Sequence, residues 1–255
     1  MPLPTLQNAH IAIIGLGYVG LPLSVAFSKI YPTIGFDINP QRIDELKSSF
    51  DSTQQVSKQE LQNSLNLSFT HNLSHIAHAN IYIICVPTPI TENKTPDLSA
   101  LIHASKLVGK VLQKGNIVIY ESTTYPTCTE NECKNALEKS SNLTFNTDFY
   151  LGYSPERINP SDSSHTLTQI QKITSGSTKQ VAHFIDSLYS SIITAGTFCV
   201  SSIKTAEMTK IIENAQRDLN IAFINEMYMI CDALQIDALE VLEAAKTKWN
   251  FLPFT

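Results

Sequence analysis

The chain has 255 residues, a formal net charge of −5 and a hydrophobic content of 43%. This length is enough to bury a substantial core and to form one large domain or two smaller ones. Because the charge balance is acidic, nothing in it attracts nucleic acid or an anionic membrane surface, and we expect neither as a partner.

The N-terminal region shows no sign of export or membrane insertion. No basic segment precedes the first apolar stretch, so we expect no signal peptide. The apolar run from Ile11 to Phe27 is short for a membrane span and contains Pro22. Five cysteines, none in a C-x-x-C pair, fit a reducing, cytoplasmic setting.

A buried apolar strand at residues 11–14 runs directly into Gly15-x-Gly17-x-x-Gly20. Gly15 permits a tight turn, Gly17 allows close approach of the backbone to a pyrophosphate, and Gly20 lets the next helix pack on the strand. That helix presents its N-terminal N–H groups to phosphate oxygens. The sequence therefore predicts a dinucleotide site, although a buried hairpin with incidental glycines has the same local pattern.

A second predicted strand, Thr33–Asp37, ends in a carboxylate about 20 residues further along, where a ribose hydroxyl would be recognised. An acid at Asp37 would repel a 2′-phosphate. We therefore expect NAD as the cofactor and not NADP.

The following segments alternate between helical and β-rich patterns, which is typical of a doubly wound parallel sheet. The predicted helices run from Asn39 and Pro40 to about Ser48, from a capping box at Ser57–Glu60, from Asp97 to Leu112, over Thr127–Lys139 and over Thr178–Tyr189. The predicted strands are Leu67–Thr70, Ile81–Val86, Asn116–Tyr120, Phe149–Tyr153 and Thr197–Val200.

The character of the sequence changes near residue 201, since Ser201–Leu252 contains neither glycine nor proline. Ser202 is a suitable cap for a helix reaching Leu234, and Asp237 caps the next. We expect residues 1–200 to form a Rossmann-like domain and residues 201–255 to begin an all-α domain. Because a helix of about 30 residues would span some 45 Å, we expect it to connect domains or form a dimer.

Lys210, Asn214 and Arg217 share one face of this long helix, at i, i+4 and i+7. Three donors on one stripe suit a developing oxyanion or a diphosphate. A solvated helix face is the simpler explanation of the same pattern.

Polar residues follow several predicted strands at their carboxyl ends, where open α/β sheets bind ligands. Thr88, Ser122 and Thr123 are placed to face the cofactor crevice, although strand-end turns are often rich in these residue types. Glu156 could act as a base on water and Arg157 could hold an anion, or the two could form a surface ion pair.

No metal site is expected. His71, His75 and His78 precede a strand without an accompanying carboxylate or cysteine set. Cys128 and Cys133 are five residues apart, which is not a usual metal-ligand spacing, and we interpret both as structural.

Taken together, these motifs resemble the UDP-glucose/GDP-mannose dehydrogenase family of NAD-dependent four-electron enzymes. The similar stretches occur in family order over essentially the whole chain: Gly15–Pro22, Cys85–Pro89, Glu121–Thr123, Ser154–Arg157 and Ala206–Asn214. Three further stretches resemble the branch that oxidises UDP-N-acetylhexosamines: Ser154–Pro160, Arg217–Glu226 and Lys248–Phe254.

The resemblance implies that two NAD molecules successively accept hydride from C6 of the sugar, with a cysteine thioester formed and hydrolysed. It implies that Lys210 and Asn214 stabilise the C6 oxyanion, and that Glu156 and Thr123 activate or position water. It also implies substrate contacts from Arg157, Ile158 and Arg217, together with Lys210 and Asn214. The cofactor site would be lined by Gly15, Gly17, Tyr18, Val19, Gly20, Asp37, Arg42, Thr88, Ser122 and Thr123.

This sequence also departs from the family pattern. The family's nucleophilic cysteine lies in a Gly-Gly-His-Cys stretch shortly beyond a segment like Trp249–Phe254, and none of the five cysteines matches it. We therefore expect an N-terminal portion that lacks the rest of the helical domain and the C-terminal UDP-binding domain, and that does not complete the thioester pathway alone. Thr127 and Ser161 replace usual glycines, and Asn80 replaces a usual aspartate.

Two other functions remain open from the sequence. One is a non-catalytic NAD-binding or dimerisation module. The other is a two-electron hydroxyacid dehydrogenase, which also places lysine and asparagine four residues apart on a helix. The motifs around Thr88, Thr123, Glu156 and Trp249 argue against the second alternative.

Overall fold

The computed structural model describes residues 3–158 and 166–252. Within them an eight-stranded sheet has the order β3-β2-β1-β4-β5-β6-β7-β8. The strands are β1 (Ile11–Ile14), β2 (Thr33–Phe36), β3 (Leu67–Thr70), β4 (Ile81–Ile84), β5 (Ile117–Tyr120), β6 (Tyr150–Tyr153), β7 (Lys172–Gly176) and β8 (Thr197–Cys199).

The central strands β1, β4 and β5 are buried at every position. Because parallel strands covered on both faces contact apolar side chains above and below, their sequences are continuously apolar. In β1, Ile11 and Ile13 pack into the apolar cluster on one face, whereas Ala12 and Ile14 pack into the cluster on the other. This alternation follows the two-residue period of a strand.

Helices cover both faces of the sheet. In chain order they are α1 (Gly20–Ser28), α2 (Pro40–Lys47), α3 (Lys58–Asn63), α4 (Ser99–Gly109), α5 (Lys134–Ser141), α6 (Lys179–Ser190), α7 (Ile203–Leu234) and α8 (Ala238–Lys246). The first compact unit comprises Met1–Met208. Side chains of α1 and α6 belong to one apolar cluster, and those of α4 and α5 to the other. The predicted doubly wound Rossmann-type sheet is therefore confirmed.

Three predicted helix starts are confirmed by hydrogen bonds. Asn39 caps α2 by accepting from the Gln41 amide, and Asp237 caps α8 by accepting from the Leu239 amide. Ser57 and Glu60 form the reciprocal capping box of α3. These caps work because the first N–H groups of a helix have no partner within the helix.

Other boundaries differ from the prediction. The helix expected to reach Leu112 ends at Gly109. The segment expected as one helix over 127–139 contains a π-helical turn at Thr129–Cys133, followed by α5. In this turn the Cys133 amide donates to the Cys128 carbonyl, and both cysteines are buried.

The strand β7 was not predicted, and it runs antiparallel to β6. Its sequence begins with Lys172 and continues through Thr174 and Ser175, so it lacks the apolar run by which buried strands are recognised. All five of its residues are nevertheless buried. Their polar side chains find partners inside the protein, including Asp186, which accepts from Thr174, and the Tyr153 carbonyl, which accepts from Ser175.

The second compact unit comprises residues 209–255. The helix α7 has 32 residues, as the uninterrupted helical pattern predicts, and α8 follows it. In the described residues, no helix combines the length and apolar character needed to cross a membrane. Many large apolar side chains of α7 are exposed: Ile212, Leu219, Ile221, Phe223, Tyr228, Met229, Ile230 and Leu234.

Thr127, which replaces a usual glycine, has a φ of 83°, in the left-handed region. A β-branched side chain is strained there, so we expect Thr127→Gly to raise the free energy of unfolding by about 1 kcal/mol. Urea unfolding measures the change. Thr127→Ala is the matched control, because alanine keeps a Cβ and most of the strain. A glycine variant less stable than the wild type would contradict this explanation.

Candidate active site

A cavity of about 680 Å³ lies at the carboxyl ends of β1, β2, β4, β5 and β6. It opens where the strand order reverses between β1 and β4, the position at which doubly wound sheets bind ligands. The predicted site residues that line it are Gly15, Gly17, Tyr18, Val19, Asp37, Thr88, Ser122, Thr123 and Glu156.

The glycine loop between β1 and α1 has the geometry that its sequence predicts. Gly15 has a φ of 92°, and a Cβ there would lie 2.9 Å from the Cys85 carbonyl oxygen. A Cβ at Gly20 would lie 1.9 Å from the Gly15 carbonyl oxygen, so only glycine allows this packing. At Gly17 no atom lies within 4 Å of a Cβ position. The glycine loop is thus packed on its inner side and open at Gly17.

Asp37 holds the glycine loop from the end of β2. Its Oδ2 accepts from the Leu16 amide at 2.9 Å, and its Oδ1 accepts from the Asn39 amide at 3.0 Å. The carboxylate therefore has a fixed position at one end of the cavity, where a ribose hydroxyl could donate to it.

The loops after β4 and β5 are joined by side-chain hydroxyls. Thr88 Oγ1 donates to the Thr123 carbonyl at 2.7 Å, and Ser122 Oγ donates to the Val86 carbonyl at 2.6 Å. These bonds link two separate strand ends into one wall of the cavity. They explain why hydroxyl side chains occupy positions 88 and 122, which the usual composition of turns does not.

A buried ion cluster lies behind this wall. Lys172 Nζ is 2.6 Å from Glu121 Oε2 and 3.7 Å from Glu156 Oε2. The Tyr189 hydroxyl donates to Glu121 Oε1. Glu121 and Glu156 line the cavity, and Lys172 lies beneath them with 2% of its surface exposed.

Burial and charge act in opposite directions in this cluster. Burial raises the pKa of Glu121 above its ordinary value, and Lys172 opposes this rise. Burial lowers the pKa of Lys172, but the Glu121 and Glu156 carboxylates outweigh it, so that this pKa lies above its ordinary value. The ammonium group therefore remains protonated at neutral pH, which a buried lysine without partners would not. Burial, reinforced by Glu121, also raises the pKa of Cys85 well above its usual range.

Glu156 is oriented by the backbone that follows it. Its Oε1 accepts from the amides of Arg157 and Ile158, both at 2.6 Å. The Arg157 guanidinium donates to the Gln171 carbonyl at 2.9 Å, and Ile158 packs against the apolar cluster beneath α1. Neither of these two predicted substrate contacts lines the cavity.

Two predicted cofactor residues act on the glycine loop from outside the cavity. Arg42 is buried, donates to the Leu16 carbonyl at 3.0 Å, and pairs with Asp51 at 2.7 Å. Its guanidinium therefore supports the loop without lining the cavity. Gly20 contributes through its close packing and not through an open surface.

The predicted catalytic residues Lys210 and Asn214 lie on α7, as does Arg217, and all three belong to the second compact unit. They keep the i, i+4 and i+7 spacing of one helix face. Their part in the site stays a prediction.

Glu207, within the family-like stretch Ala206–Asn214, is buried and accepts several hydrogen bonds from the loop after β5. Its Oε1 accepts from Thr124 Oγ1 at 3.2 Å and from the Thr129 amide at 2.9 Å. Its Oε2 accepts from the Thr127 amide at 2.6 Å. The start of α7 is thereby fixed to the loop that carries Thr123.

Sequence reasoning missed Lys172 and Tyr189. The only available signal was a lysine amid otherwise uncharged residues that precede the amphipathic helix α6. In residues 3–158 and 166–252, no three His, Cys, Asp or Glu side chains are grouped to hold a metal ion.

The parallel sheet, the glycine loop and the fixed acid after β2 define a dinucleotide-binding protein of the Rossmann type. The profile of the UDP-glucose/GDP-mannose dehydrogenase family, NAD binding domain, matches residues 9–193, and the family's central domain matches residues 204–254. The chain therefore belongs to this family of oxidoreductases, and its cofactor is NAD.

Several relatives are similar along nearly the whole chain. The UDP-N-acetyl-D-glucosamine 6-dehydrogenase of Pseudomonas aeruginosa is 56% identical over 98% of this chain and 59% of its own length. Protein CapL of Staphylococcus aureus is 51% identical over 97% of this chain and 58% of its own length. The chain thus spans about 59% of the length of the first of these relatives.

Among solved structures, the UDP-D-ManNAc dehydrogenase of Pyrococcus horikoshii is similar, with a TM-score of 0.88 and 32% sequence identity. The likeness covers 94% of this chain and 58% of that one.

We expect Glu207→Gln to lower the free energy of unfolding by about 2–3 kcal/mol, because a neutral amide cannot accept from both backbone donors and the threonine hydroxyl. Chemical denaturation measures the loss. Glu226→Gln, an exposed change on the same helix, is the control and should have little effect. Equal stability of the two variants would show that the Glu207 bonds contribute nothing.

Proposed function

We propose that this chain supplies the NAD end of a site that oxidises the C6 hydroxyl of a UDP-N-acetylhexosamine to the acid. The observation that carries the proposal is one cavity lined by the glycine loop, Asp37, Thr123 and Glu156. The names of the relatives, UDP-N-acetyl-D-glucosamine and UDP-N-acetyl-D-mannosamine dehydrogenases, support the substrate class.

The cavity residues suggest how NAD would be held. Gly17 is open for the pyrophosphate, and Asp37 would accept from the adenosine ribose. The nicotinamide half would then lie toward Thr88, Thr123 and Glu156. When bound, NAD supplies the acceptor for hydride.

The chain's own residues would do the remaining work. Glu156, fixed by two backbone amides, would act as a base on water, and Thr123 would position that water. Lys210 and Asn214 would donate to the C6 oxyanion. Arg157, Ile158 and Arg217 would contact the nucleotide sugar.

The five cysteines do not support thioester formation within these 255 residues. Cys85 lines the cavity, but its raised pKa keeps it in the thiol form, which is a poor nucleophile. Cys128, Cys133 and Cys231 are buried. Cys199 is exposed on β8, and burial of its sulfur raises its pKa as well. We propose that residues 1–255 alone do not form the acid.

We also propose two domains, residues 1–200 for the cofactor and 201–255 as the start of a helical domain.

A homodimer formed through α7 would cover apolar side chains that are now exposed. Sedimentation equilibrium tests this, since a monomer at all concentrations would contradict it. The apolar side chains concerned include Leu219, Ile221, Phe223 and Met229.

Calorimetric titration of the purified chain is the first test. We expect NAD to bind and UDP-N-acetylglucosamine to bind weakly or not at all, since most sugar contacts are expected outside these residues. An assay for the uronic acid should detect no product. Steady formation of the acid would refute the proposed inactivity. Oxidation of simple 2- or 3-hydroxy acids with NAD would favour a two-electron dehydrogenase instead.

Cofactor selectivity gives a sharper test of the site. We expect Asp37→Asn to reduce the preference for NAD over NADP by about tenfold, because removal of one negative charge lowers the repulsion of a 2′-phosphate. Competitive titration with both cofactors measures the ratio. Asp44→Asn, an exposed change on the neighbouring helix α2, is the matched control. An unchanged ratio would remove Asp37 from the ribose site.

A further inference from the structure

Both backbone polar groups of Leu16, the residue between the first two glycines of the glycine loop, are held by side chains. Its amide donates to Asp37 Oδ2 at 2.9 Å, and its carbonyl accepts from Arg42 Nε at 3.0 Å. Leu16 is itself fully buried. The two peptide units that it shares with Gly15 and Gly17 are therefore fixed in orientation.

Arg42 is fixed in turn by a loop that lies outside the cavity. Its Nη2 donates to Asp51 Oδ1 at 2.7 Å. Asp51 is buried, and its carboxylate also accepts from the amides of Thr53, Gln55 and Val56. One guanidinium group thus joins the carboxylate that organises this loop to the glycine loop.

The Gly17 amide is the donor that this arrangement orients. A trans peptide unit is planar, so its C=O and N–H groups point in opposite directions. Because the Leu16 carbonyl points at Arg42, which lies outside the cavity, the Gly17 N–H points away from Arg42. Gly17 lines the cavity, and its amide makes no hydrogen bond within residues 3–158 and 166–252. This N–H group is therefore available to a phosphate oxygen.

We propose that Arg42 and Asp51 are positioning residues for cofactor binding, which hold the Leu16 carbonyl so that the Gly17 amide faces the diphosphate of NAD. The inference rests on the proposed function, which places the diphosphate at Gly17. A rotated Leu16–Gly17 peptide would present its carbonyl oxygen to the phosphate, and neither of these two acceptors can donate a hydrogen bond to the other. Asp51 acts only through Arg42, since it does not line the cavity.

A direct contact between Arg42 and the diphosphate makes the opposite prediction. If its positive charge attracted the cofactor, neutralising Asp51 would leave that charge uncompensated and strengthen the binding of anionic ligands. If Arg42 holds the peptide instead, loss of the Asp51 anchor weakens their binding. The sign of the change in affinity therefore separates the two roles.

The test compares ADP with adenosine, which differ only in the diphosphate, in the wild-type chain and in the variants Asp51→Asn and Arg42→Lys. Asparagine removes the charge that anchors the guanidinium. Lysine keeps the positive charge but has one nitrogen in place of the two that reach Leu16 and Asp51. We expect ADP affinity to fall about tenfold in both variants, as for loss of one hydrogen bond to a charged group, and adenosine affinity to change less than about twofold.

Calorimetric titration measures the affinity for ADP, and NMR titration measures the weaker binding of adenosine. Adenosine binding also reports that each variant is folded, and Arg42→Lys decides alone where Asp51→Asn does not fold. Asp44→Asn, the same chemical change at an exposed position of α2, is the matched control and should leave the ratio of the two affinities unchanged.

Three results would overturn the inference while the NAD site stands. They are a higher ADP affinity in Asp51→Asn, equal losses of ADP and adenosine affinity in the variants, and an ADP affinity that both variants leave unchanged. A wild-type chain that bound ADP no better than adenosine would overturn the proposed placement of the diphosphate at Gly17 as well.

Discussion

The buried ion pair between Lys172 and Glu121 connects strand β7 to the loop after β5, which forms part of the cavity wall. Lys172 begins the antiparallel strand β7, Glu121 follows β5, and Tyr189 reaches the same carboxylate from α6. Removing one partner of such a pair leaves an uncompensated buried charge, which costs about 3–5 kcal/mol. Glu156 lies 3.7 Å from the same ammonium group, so one lysine is close to both carboxylates.

A second buried carboxylate, that of Glu207, holds the segment 124–129, which follows Thr123. Glu207 accepts from two backbone amides and one hydroxyl of residues 124–129, and it belongs to the first turns of α7. The left-handed Thr127 is part of this arrangement, because its amide donates to Glu207. A strained residue can persist where its surroundings fix its conformation.

The sequence was sufficient for features that depend on local chemistry. The glycine loop and the caps at Asn39 and Asp237 each follow from a pattern within a few neighbouring residues. The length of α7 follows from one uninterrupted helical pattern. The strand β7 could not be predicted, because its polar residues are tolerated only through partners distant in sequence, 51 residues away in the case of Lys172. Arg42 differs, since the family resemblance alone implied its place in the cofactor site, and its pairing with Asp51 depends on a loop that the resemblance does not describe.

Hydrogen bonds fix the position of a carboxylate both at the β2 end of the cavity and behind its opposite wall. Asp37 has both oxygens fixed by backbone amides, so its charge cannot move away from an approaching phosphate. Glu121 is held by Lys172 and Tyr189, and its side chain is fully buried. Preorganised charges cost no reorganisation when the ligand arrives, and they therefore discriminate between ligands that differ by one charge. On our proposal, Asp37 selects NAD over NADP, because only NADP carries the additional charge of a 2′-phosphate.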